Sequence, residues 1–124
     1  MVLSGSAGNV FYGDAAAKFG AIDVQGAWIV WGGATLATED FTVQPAGQLA
    51  FSGATIQADT LTYQGGDILN SSLGFLDIAD KAVFSAPITM QNVDASPGAA
   101  PALAYGCENG GGCRNVRFSR HPIA

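Results

Sequence analysis

A twenty-residue repeat limits the folds available to this chain more than any other feature. Residues 31–36, W-G-G-A-T-L, return as F-S-G-A-T-I at 51–56, so that Gly-Ala-Thr recurs unchanged. The same offset aligns Ile29 with Leu49 and Leu69, Leu36 with Ile56 and Leu76, Phe41 with Leu61, Val43 with Tyr63 and Val83, and Phe11 with Trp31. Such self-similarity predicts copies of one structural unit that pack on one another.

Each unit has the alternation of a β-strand with one buried face. Large or apolar residues occupy every second position, as at Phe41 and Val43, and no segment keeps a sustained helical period. Turn residues separate the units at 43–47 (V-Q-P-A-G), 63–67 (Y-Q-G-G-D) and 85–87 (S-A-P). The chain is therefore predicted to be all-β, with short strands.

Matching of large residues with large ones favours a parallel β-solenoid of about four to five turns. In a solenoid, equivalent residues stack at the spacing of about 4.8 Å between strands. Side chains of similar size and polarity must therefore lie on one another. An antiparallel β-sandwich or jelly roll is the alternative fold. We assign residues 1–8 to an N-terminal cap or arm, 9–93 to the repeats, and 94–124 to a connector and a C-terminal tail.

The F-x-G-x-x-I/L unit followed by alternating strands resembles the right-handed parallel β-helices of bacterial autotransporter passengers, polymorphic outer-membrane proteins and phage tailspikes. The resemblance covers residues 9–93 and rests on degenerate motifs. It implies a role in surface attachment and, for the tailspike type, assembly as a homotrimer.

Charge and hydropathy argue against a nucleic-acid partner and against insertion into a membrane. The net charge of −5 repels a phosphate backbone, so no nucleic-acid partner is expected. No apolar run is long enough for a membrane-spanning helix, and the first residues lack the basic and apolar parts of a secretion signal. The last eleven residues contain three arginines and no acid: Arg114, Arg117 and Arg120.

Carboxylates recur near one register and form the first candidate site. Glu39, Asp59 and Asp80 would lie about 5 Å apart on successive turns. That spacing suits an oxygen-lined Ca²⁺ site, a retaining glycosidase pair, or simply a solvated corner, which is the reading we favour. The one histidine, His121, has no partners for a catalytic triad or a zinc site. We therefore expect no enzymatic activity and no cofactor, with calcium as the alternative.

Trp28, Tyr63 and the tail supply the candidate contact residues. Trp28 and Tyr63, if exposed, would stack on a sugar or contact another subunit. The arginines of the tail would dock on the acidic corner of a neighbouring subunit, or the tail would cap its own stack. Cys107 and Cys113, separated by E-N-G-G-G, would close a disulfide loop or remain two thiols.

Three functions fit these features. The first is a non-enzymatic structural or attachment protein of a virion exterior: a tailspike or fibre segment, or a capsid decoration protein. It would assemble with itself as a homotrimer and contact neighbouring structural proteins. The second is a fragment of a bacterial surface adhesin, and the third is a β-helix that binds or cleaves surface glycans through Glu39, Asp59 and Trp28. All three place the chain on a virion exterior, outside the cell or at its surface.

Overall fold

The computed structural model describes residues 2–3, 9–11, 18–30, 33–85 and 88–119. In these ranges it contains twelve β-strands and no helix. The strands are β1 (Val2–Leu3), β2 (Asn9–Phe11), β3 (Lys18–Val24), β4 (Ala27–Val30), β5 (Thr35–Val43), β6 (Gln48–Ala50), β7 (Thr55–Tyr63), β8 (Ile68–Phe84), β9 (Thr89–Asp94), β10 (Ala102–Tyr105), β11 (Glu108–Gly111) and β12 (Val116–Ser119).

The strands stack as a parallel β-solenoid. The larger sheet follows the order β1-β3-β5-β7-β8-β10-β12, with β9 paired to both β8 and β11. The smaller sheet has the order β2-β4-β6. Every pair is parallel, whereas a sandwich or jelly roll requires antiparallel neighbours. From β3 to β10 the chain completes about four turns, which confirms the predicted fold.

The larger sheet follows the predicted twenty-residue register over most of its length. Leu36 pairs with Ile56 and Ile56 with Leu76, and all three side chains are buried. The pairs Phe41–Leu61 and Val43–Tyr63 are also as predicted. Tyr63, however, pairs with Phe84 rather than Val83, because β8 has an extra residue opposite the segment 58–60. This β-bulge shifts the register by one.

The predicted column of Ile29, Leu49 and Leu69, which involves β4 and β6 of the smaller sheet and the start of β8, is wrong. Trp28, not Ile29, pairs with Leu49, so the offset there is 21 residues. A one-residue slip turns a strand's side chains to the opposite face of the sheet. Accordingly Leu49 is 1% exposed, whereas Ile29 is 46% exposed and Leu69 is 57% exposed.

Paired strands extend beyond residues 9–93. At one end β1 pairs with β3, and at the other β10 pairs with both β8 and β12. The last turn is short, because Ala102 pairs with Val116, an offset of 14, but with Ala82, an offset of 20. The predicted pairing of Phe11 with Trp31, most of the predicted arm 1–8, and residues 120–124 lie outside the described residues.

Candidate functional site

A corner of the solenoid is built around Asn92, whose φ of 55° lies in the left-handed region. Leu69 pairs with Gln91, and Gly74 pairs with Val93. Four residues, 70–73, therefore lie opposite the single residue Asn92. Asparagine tolerates this backbone conformation better than most residues. The chain consequently bulges outward at 71–73, where Ser71 and Ser72 are exposed.

Asn70 fixes the inner side of this corner. Its side chain is 0% exposed. Asn70 Oδ1 accepts a hydrogen bond from the Phe51 backbone N–H at 2.9 Å, and Asn70 Nδ2 donates to the Asn92 carbonyl oxygen at 3.3 Å. Asn92 Nδ2 in turn donates to the Asn70 carbonyl oxygen at 2.8 Å. The two asparagines thus join three successive turns.

A surface cleft of about 280 Å³ lies on this corner. It is lined by Leu73, Asn92, Gly112, Cys113 and Arg114. Gly112 has a φ of 72°, and a Cβ at that position would overlap Asn92 Oδ1, so no other residue fits there unchanged. The cleft presents an amide, a thiol and an exposed guanidinium group.

The structure does not bring the three predicted acidic residues, Glu39, Asp59 and Asp80, into one group. The pairs Ala37–Gln57 and Asp40–Thr60 have the same offset, which sets Glu39 beside Asp59. Asp80 lies in the bulge of β8, where the register shifts. Among the described side chains, no group of three or more His, Cys, Asp or Glu residues is placed to hold a metal ion. Glu39 and Asp80 are exposed, and Asp59 is half-buried.

Tyr63 was predicted as a contact residue but is part of the core. It is 1% exposed, and its ring centroid lies 5.2 Å from that of Phe84. Tyr63 Oη donates to the Gly66 carbonyl oxygen at 2.7 Å and accepts from the Leu49 N–H at 3.3 Å. Burial raises the pKa of the Tyr63 phenol well above its usual range. Tyr63 is therefore not available to a ligand or partner.

Trp28 is half-buried and packs against the core rather than standing free on the surface. Its indole Nε1 is buried and has no hydrogen-bond acceptor among the described residues. The predicted alignment of Ile29 with the buried Leu49 would turn the neighbouring Trp28 to the outer face. The 21-residue offset reverses that arrangement.

Cys107 and Cys113 are thiols in the structure, with no disulfide between them. This is the second of the two alternatives that the sequence left open. Cys107 precedes β11 and Cys113 follows it, and between them β11 runs beside residues 89–91 of β9. A disulfide requires Cα atoms no more than about 7 Å apart. Strand β11 therefore holds the two thiols apart.

The described part of the basic tail pairs with its own stack. Arg114 forms a parallel bridge with Asp94, and Arg117 of β12 pairs with Leu103 of β10. Both arginine side chains are exposed. Arg120 lies outside the described residues. Docking of these arginines on a neighbouring subunit stays a prediction.

The outward side of β4 and β6 in the smaller sheet, together with the start of β8 in the larger sheet, carries an apolar column that the sequence reasoning missed. It consists of Ile29, Ala50 and Leu69. Ile29 pairs with Ala50. Hydrogen bonds from Gln48 to Asp67 and from Phe51 to Asn70 place the next turn so that Ala50 lies beside Leu69. An offset of 21 for residues 27–30 would have revealed it, because it aligns Trp28 with Leu49 and Val30 with Phe51.

No protein-family model, curated protein or solved structure matches this chain. Within the part of the chain that the structure describes, no helix has the length and apolar character needed to cross a membrane.

Proposed function

We propose that this chain is a non-enzymatic structural or attachment module that self-associates through the outward side of β4, β6 and the start of β8. The observation that carries the proposal is the apolar column, Ile29, Ala50 and Leu69, on a rigid stack of parallel strands. Large apolar side chains that share one exposed face are typical of interaction sites.

The geometry of the column suits a flat contact. Neighbouring rungs of a sheet are about 4.8 Å apart, so Ile29 and Leu69, two rungs apart, are about 10 Å apart. The column therefore runs along the stack rather than forming an isolated spot.

A second copy of the chain is the partner that this face fits best. Asp67, exposed and two residues before Leu69, precedes β8, and the neighbouring turn has the uncharged Gln48 there. Two such faces bring few like charges together, so they repel each other little. Burying a leucine or isoleucine side chain contributes about 1.5–3 kcal/mol, which favours contact of the two columns.

The setting we favour is a virion exterior, as a tailspike or fibre segment or a capsid decoration protein, with a homotrimer as the expected assembly. A bacterial surface adhesin is the alternative, and its stack would present the same face. A role in binding or cleaving glycans has less support, because Tyr63 is buried and Trp28 packs against the core.

Light scattering coupled to size-exclusion chromatography tests the proposal. The wild type is expected to be an oligomer at micromolar concentration, and Leu69→Lys is expected to be a monomer, because a charge in the column opposes its burial. Gln57→Lys is the matched control: Gln57 is exposed on β7 of the larger sheet, so the variant should assemble as the wild type does.

Circular dichroism would show whether each variant keeps its strands. A wild-type protein that is monomeric at micromolar concentration would contradict the proposal. So would a folded Leu69→Lys variant with the wild-type mass in solution.

A further inference from the structure

Strand β11 lies between the two thiols and is weakly held. All four of its residues, Glu108–Gly111, are exposed. Its pairing with β9 is interrupted by a register shift between Asn109 and Gly111. An edge strand with few buried contacts opens locally at low free-energy cost.

Each thiol contacts the stack at one end of β11. Cys107 Sγ lies 3.8 Å from the Phe84 carbonyl oxygen. Cys113 Sγ donates to the Met90 carbonyl oxygen at 3.3 Å. Both side chains are half-buried. Each thiol therefore contacts a preceding turn at one end of β11.

The glycines around β11 allow its backbone to change conformation. Gly106, Gly111 and Gly112 all have positive φ, at 73°, 110° and 72°. Glycine occupies this region without a steric penalty, so the loop can rearrange at these points. The five residues between the cysteines form a ring short enough to close once β11 is no longer extended.

We propose that Cys107 and Cys113 form a redox-dependent clip. With both thiols reduced, β11 pairs with β9. A low-molecular-weight disulfide such as oxidised glutathione converts them to a Cys107–Cys113 disulfide, and closing that bond draws β11 away from β9. The change leaves the edge of β9 unpaired while β12 stays paired with β10.

The reaction is two successive thiol–disulfide exchanges. The Cys113 thiolate attacks one sulfur of the oxidant, forms a mixed disulfide and releases one thiolate. The Cys107 thiolate then attacks the Cys113 sulfur, closes the internal disulfide and releases the second thiolate. Two protein thiols are oxidised, the oxidant is reduced to two thiols, and the two thiol protons pass to the leaving groups.

Cys113 is the better first nucleophile on two grounds. It lines the surface cleft, beside the exposed Arg114. Burial raises the pKa of the Cys107 thiol, which lowers its fraction of reactive thiolate.

Intact-mass measurement and amide hydrogen exchange, applied to the full chain treated with oxidised glutathione, test the clip. The mass should fall by two hydrogen atoms with no glutathione retained. The Glu108 N–H donates to the Ile88 carbonyl oxygen at 2.8 Å in the reduced protein. Loss of that bond should speed its exchange by about fivefold, which corresponds to a net contribution of about 1 kcal/mol.

Cys107→Ser is the matched control, since it can form only the mixed disulfide at Cys113. Its Glu108 amide should exchange at the same rate with and without oxidant. Three results would overturn the proposal. One is a product that keeps glutathione or links two chains. Another is an internal disulfide with unchanged exchange at Glu108. The third is faster exchange in the treated Cys107→Ser variant.

Discussion

Replacing Asn70 with alanine should destabilise the solenoid more than any nearby surface change. The substitution removes the acceptor of the Phe51 N–H and the donor to the Asn92 carbonyl oxygen. Phe51 is 1% exposed, so water cannot easily replace the lost acceptor. Asn92 is half-buried, and its carbonyl oxygen can recover part of its hydrogen bonding from solvent.

The expected loss follows from these two bonds. A buried donor left without an acceptor costs about 1–3 kcal/mol. With a smaller cost at Asn92, the free energy of unfolding should fall by about 2–4 kcal/mol. For a chain of this length, each kcal/mol corresponds to about 4 °C, so Tm should fall by about 8–16 °C.

Asn70→Asp separates hydrogen bonding from side-chain size. The carboxyl group keeps the acceptor for Phe51, and only its protonated form can donate to Asn92. Burial raises the pKa of such a carboxyl group above its unfolded value of about 4. The folded state then binds more protons than the unfolded state, so stability relative to the wild type is greatest at low pH and falls as pH rises.

Urea denaturation at several pH values, with Ser72→Ala as the matched control, measures both effects. Ser72 is exposed in the same corner, and its variant should stay within about 0.5 kcal/mol of the wild type. A loss below about 1 kcal/mol for Asn70→Ala would refute the reasoning. So would an Asn70→Asp variant whose stability relative to the wild type rises with pH.

Two further substitutions test the core. In Gly74→Ala the new Cβ would overlap the ring of Phe51, so we expect the free energy of unfolding, measured by urea denaturation, to fall by about 1–3 kcal/mol. Gly20→Ala, with open space at its Cβ, should leave this free energy unchanged. An equal fall in both variants would contradict this reasoning. Tyr63→Phe should lose about 1–2 kcal/mol at neutral pH, because it removes the hydroxyl that bonds to Gly66 and Leu49. Burial raises the pKa of the Tyr63 phenol, so its stabilisation is fully present below about pH 10 and falls as pH rises further. The wild type should therefore lose its advantage over Tyr63→Phe in alkaline urea titrations, and a constant difference would argue against a buried phenol.

The part of the fold that the sequence predicted is the part where the turns have equal length. Leu36, Ile56 and Leu76 stack at a constant offset because no residue is inserted between them on the larger sheet. Like side chains then recur at a fixed spacing, and this is visible in a single sequence.

The rest depends on small differences in corner length. Trp28 pairs with Leu49 at an offset of 21, and Ile68 pairs with Met90 at an offset of 22. Because strands alternate with period two, an error of one residue exchanges the inside and the outside. This is why Ile29 was aligned with Leu49 and the apolar column was missed.

The surface cleft could not be predicted from the sequence, for a different reason. Its shape comes from the left-handed backbone of Asn92 and from Gly112 packed against it. Neither has a periodic signature, and glycines in a glycine-rich chain give little indication of which one is required. The spacing of Cys107 and Cys113 was equally compatible with a bond and with two thiols. The pairing of β11 with β9 decides between them in the structure.

The outward bulge at residues 71–73 makes this solenoid a natural scaffold for peptide display. The residues on either side, Leu69 and Gly74, stay paired with the next turn although the register shifts between them. A guest peptide inserted after the exposed Ser72 would lengthen a segment that already stands away from the sheet. Each doubling of such a loop adds only about 0.6 kcal/mol of closure entropy. The stack would then hold the guest at a fixed height, on a support whose strands need not adjust to it.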